Sequence, residues 1–65
     1  MTIDEARINE ERAYARHMSN LDAAIAARWA EGTTDADLRR YADACEESSE
    51  ALDVATRAQN HAVTP

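Results

Sequence analysis

Trp29-Ala30-Glu31-Gly32-Thr33-Thr34-Asp35-Ala36-Asp37 is the stretch on which the fold turns, and it holds the chain's single glycine. Gly32 suits the left-handed C′ position at which helices end, because it has no Cβ to clash there. Two residues later Thr34 precedes the acidic Asp35 and Asp37. That pattern opens a helix: the hydroxyl accepts from a free backbone N–H, and the acids sit on the positive end of the helix dipole. One helix therefore stops and another starts within a few residues. A connection that short lays the second helix antiparallel alongside the first.

Outward from the turn, nothing interrupts either helix. Fifteen of the 65 residues are alanine and the one proline is Pro65, so helix propensity is high over both long windows. Thr2-Ile3-Asp4-Glu5 matches a capping box at the far end. The reading is a single all-α domain, an antiparallel two-helix hairpin. Its first helix covers about 3–31, the turn 32–34, the second helix about 35–60 and a tail 61–65. Each helix is about 40 Å long at roughly 1.5 Å per residue, so the two match in length.

The bulky apolar residues are expected to form the seam. Ile3, Tyr14, Met18, Leu21, Ile25 and Trp29 recur at helical spacing on the first helix. Leu38, Tyr41/Ala42, Cys45, Ser48/Ser49, Leu52, Ala55 and Val63 do so on the second. A turn centred near Thr33 sets Trp29 against Leu38, Leu21 against Cys45, Met18 against Ser48/Ser49 and Tyr14 against Leu52. Two helices cover only one side of each other, so this apolar set is not fully buried within one hairpin. A second hairpin laid over it closes a four-helix bundle, and a two-fold homodimer does so with one chain. The expected self-association residues are Tyr14, Met18, Leu21, Ile25, Trp29, Leu38, Tyr41 and Leu52.

Two further features point outward. Small residues form a second stripe, with Ala23, Ala26/Ala27 and Ala30 on the first helix and Ala44, Ala51, Val54 and Ala58 on the second. Asp43, Glu46, Glu50 and Asp53 follow one another at i, i+3, i+7 and i+10, bracketed by Arg39 and Arg57. Asp43, Glu46, Glu50, Asp53, Ala51, Val54 and Ala58 are the expected docking surface for a larger protein partner.

The chemistry-bearing residues are sparse. Cys45 is the only cysteine and is expected to pack as a small hydrophobe. His17 is expected nearer Ser48/Ser49 than Cys45, and it lies far from His61, so neither a Cys-His pair nor a metal set is expected. With no phosphate loop and no nucleophile beside its base, the sequence predicts no enzyme, no cofactor and no metal. A net charge of −6 disfavours direct nucleic-acid binding. The same charge supports an alternative reading, an acidic decoy or inhibitor on a basic or nucleic-acid-binding surface of another protein. The acidic start Met1-Thr2-Ile3-Asp4-Glu5 leads into no apolar run, so the sequence reads as a small cytoplasmic accessory protein with no membrane contact.

Overall fold

Thr2 accepts a hydrogen bond from the Glu5 backbone N–H at 3.1 Å, and the first helix begins there. The computed structural model describes residues 2–63. Among them are two helices, α1 over Ile3–Trp29 and α2 over Asp35–Val63, packed side by side as an antiparallel hairpin. α2 continues through His61 and Ala62, residues the sequence had assigned to the tail; Thr64 and Pro65 lie outside the described residues. Alanine and polar residues without a breaker explain the continuation, and His61 in the last turn complements the helix dipole.

At the turn the structure departs from expectation in one detail. Ala30, with φ −81° and ψ 138°, ends α1 by going extended, and its N–H donates to Ala27 O at 3.3 Å. Gly32 does adopt positive φ, +79°, but inside the turn and two residues beyond the cap. The start of α2 is a reciprocal cap. Asp37 N–H donates to Thr34 Oγ1 at 3.1 Å, while Thr34 N–H donates to Asp37 Oδ2 at 3.3 Å. Asp plays here the part that Glu or Gln takes in the commoner capping box.

The seam is not the bulky stripe. Counting about 100° per residue, the α1 residues turned toward α2 are Ala6, Glu10, Ala13, His17, Asn20, Ala24 and Ala27, a three-four repeat of small and polar side chains. Ala6 and Ala27 are buried, and Ser48, 1% exposed, is their counterpart on α2. The axial register is within two residues of expectation, with His17 opposite Ser48 and Asn20 opposite Ala44. What differs is rotation, by about a quarter turn. Small residues allow the two backbones to approach closely enough for side chains to bond directly across the seam, and the bulky residues then flank it.

Candidate interaction surfaces

Polar links between described residues cross the seam. Ser48 Oγ lies 2.7 Å from His17 Nδ1 and donates its own proton to Cys45 O at 3.1 Å. With the serine proton committed to a carbonyl, the imidazole Nδ1–H is the donor to Ser48 Oγ. Ser48 Oγ thereby ties the two helices together. Asn20 Nδ2 donates to Ala44 O at 3.2 Å. Near the open end, Gln59 with its amide nitrogen turned toward the carboxylate donates to Glu10 Oε2 at 2.9 Å. Among the described residues no buried side-chain polar atom lacks a partner. Each such link is worth about 1 kcal/mol net.

On one side of the seam lies a bulky flank. Tyr14, Met18, Leu21 and Ile25 of α1 share it with Leu38, Cys45 and Leu52 of α2. Leu21, Leu38, Cys45 and Leu52 are half-buried at the seam edge, whereas Tyr14 and Ile25 are each 56% exposed. Tyr14 and Leu52, expected to be opposite each other, line one shallow groove of about 330 Å³ with Glu10, Glu11 and Thr56. Trp29 does not cap Leu38. It is 86% exposed, because successive four-residue steps from Leu21 through Ile25 to Trp29 carry the side chain round to the outer surface. Tyr41 stands over the seam near the turn, beside Arg40 and Ala44.

The opposite flank is lined by small residues. Ala23, Ala26 and Ala30 of α1 face the same way as Ala51, Val54 and Ala58 of α2. Ala27 leaves this set for the seam, and Ala58 is half-buried beside it. On this flank Arg16 reaches Glu47 at 4.0 Å, a solvent-exposed pair worth little. The back of α2 carries Asp43, Glu46, Glu50 and Asp53, all exposed. Asp53 pairs with Arg57 at 2.9 Å. Among the described residues Arg39 and Asp43 form no such pair, and Arg40 bonds instead to Asp37. That contact, with the Thr34 backbone and hydroxyl bonds next, holds the Asp37 carboxyl below its ordinary value.

The structure thus brings Tyr14, Met18, Leu21, Ile25, Leu38 and Leu52 onto one flank and sets the acidic strip about half a turn away from the seam. The seam-crossing polar residues were legible only as a three-four spacing of small and polar side chains, which the larger apolar residues outweighed. No described helix is long and apolar enough to cross a membrane. Compared with known protein families, curated proteins and solved structures, the chain matches none.

Proposed function

We propose that this chain is a small, acidic, non-enzymatic cytoplasmic protein that works through helix–helix contacts, first with a second copy in a four-helix bundle and then with a larger protein. One observation carries the reading. Among the described residues the largest fully buried side chain is a serine, while Ile3, Ile8, Tyr14, Met18, Ile25, Trp29, Tyr41, Val54 and Val63 all stand exposed. A chain with that distribution has placed its hydrophobic free energy where only another surface can realise it. The polar ties along the seam align the helices, and the bulky flank remains to be covered.

Catalysis, a cofactor and direct nucleic-acid binding have no part in this proposal. The acidic strip on the back of α2 favours a second reading, an acidic decoy on a basic surface of another protein. Salt separates the two: docking of the strip weakens steeply between low and high ionic strength, and apolar helix docking does not. The main reading is tested by thermal unfolding over a hundredfold range of chain concentration. A melting temperature that rises with concentration supports it, and a well-folded 7.2 kDa species whose melting temperature ignores concentration refutes it.

A further inference from the structure

We infer that the occupant of the bulky flank is the same flank of a second copy, and that the alanine flank and the acidic back of α2 stay outside the dimer. This rests on the self-association reading above and assigns it to one surface.

Size gives the first argument. The hairpin exposes 5118 Å². A compact protein of 7.2 kDa exposes about 4,100 Å² by the usual mass scaling. The excess, roughly 1,000 Å², is close to the area of about 800 Å² that each partner loses in a standard stable interface. Shape agrees. The radius of gyration is 14.8 Å in a rod 51 Å long. A compact 65-residue chain has about 11 Å, and 14.8 Å suits a compact body of roughly twice this chain's length.

Charge gives the second argument and selects the flank. On α1 the centre of this flank is Tyr14, Met18, Leu21 and Ile25, with Asp22 on its outer rim one turn beyond Met18, and on α2 it is Leu38, Ala42, Cys45, Ser49 and Leu52. Arg7, Glu10 and Glu11 lie toward the open end, and Arg28 toward the turn. An uncharged centre with charged margins is the layout of an interface. The alanine flank has Arg16 and Glu47 at its middle instead. A basic partner would be drawn to the back of α2, where the carboxylates are. The bulky flank calls for an apolar, two-helix-wide surface of the same length. A second copy presents that surface, and two-fold symmetry makes it self-complementary.

The test uses Met18→Cys and Ala51→Cys, each in a Cys45→Ser background, treated with a short bismaleimide. Both positions lie near the middle of the rod, so neither depends on the orientation of the two-fold axis. Cross-linking through position 18 and not through 51 is expected. In sedimentation equilibrium, Ile25→Asp is expected to weaken self-association by about a hundredfold. Ala51→Asp is expected to change it by less than about threefold. Circular dichroism checks that each variant is helical, and the cross-linking decides the matter if Ile25→Asp fails to fold. Cross-linking through 51 alone, or equally through both, overturns the flank assignment and leaves self-association standing. A folded monomer that cross-links through neither overturns both.

Discussion

Replacing Gly32 by L-alanine and by D-alanine in two chemically synthesised chains isolates the turn. Gly32 has φ +79°, and a Cβ added there meets nothing within 4 Å. Contact therefore contributes no penalty, and the cost of L-alanine is that of holding a Cβ-bearing residue in the left-handed region. That cost is about 1 kcal/mol, up to about 2. D-alanine prefers positive φ and fills the same open space. It also narrows the unfolded ensemble, so it should stabilise by about 0.4–1 kcal/mol. The two epimers should differ by roughly 2 kcal/mol, about 10 °C in melting temperature for a domain of this size. Urea and thermal melts at one matched chain concentration read the difference, because association shifts both midpoints. Epimers of equal stability would show that the turn does not hold Gly32 at positive φ, and the account of the turn would fail with it.

Further expectations concern the seam and the second cap. Ser48→Ala removes the acceptor of His17 Nδ1 from a buried site and should cost about 1–2 kcal/mol in a urea melt, while Ser48→Leu overpacks the seam and should cost more. Asn20→Ala loses the bond to Ala44 O and should cost about 1 kcal/mol; no change would mean that water replaces the bond without loss. Asp37 is held below its ordinary value of 3.8, so it binds fewer protons folded than unfolded in that range. Its contribution is present above pH 3.8 and is lost as the pH falls through the lower folded value. Asp37→Asn should flatten that part of a pH–stability curve, and a curve as steep as the parent's would contradict the cap.

The fold was legible because its signals were local. Thr2 and Thr34 stand where the helices start and Gly32 marks the turn between them, and residue numbers alone then fix the antiparallel register. Rotation about the helix axes is a different problem. Bulk suggested that Leu21 and Ile25 lie at the centre of the seam, yet small residues one position away, at Asn20 and Ala24, hold it. A sequence read for one hairpin assigns its large side chains to that hairpin's own contact, whereas here they are free to serve another. The docking candidates on the back of α2 were legible as a strip by spacing, since solvent exposure there needs only that the seam lie elsewhere. The tie between His17 and Ser48 was foreshadowed by register; its donor direction depends on Cys45 O and was not.

The polar ties at Glu10, His17 and Asn20 have a consequence for sliding. If α2 slipped along α1 by one heptad, about 10 Å, the alanines would find equivalent neighbours and little would resist. The polar groups would not. His17 would face Tyr41 or Ala55 in place of Ser48, and a slip in one direction would set Glu10 against Leu52 in place of Gln59. The seam therefore works like the wards of a key: it adds little grip and admits one alignment. Filling it with leucines would make a tighter pair that had lost its means of telling one register from the next.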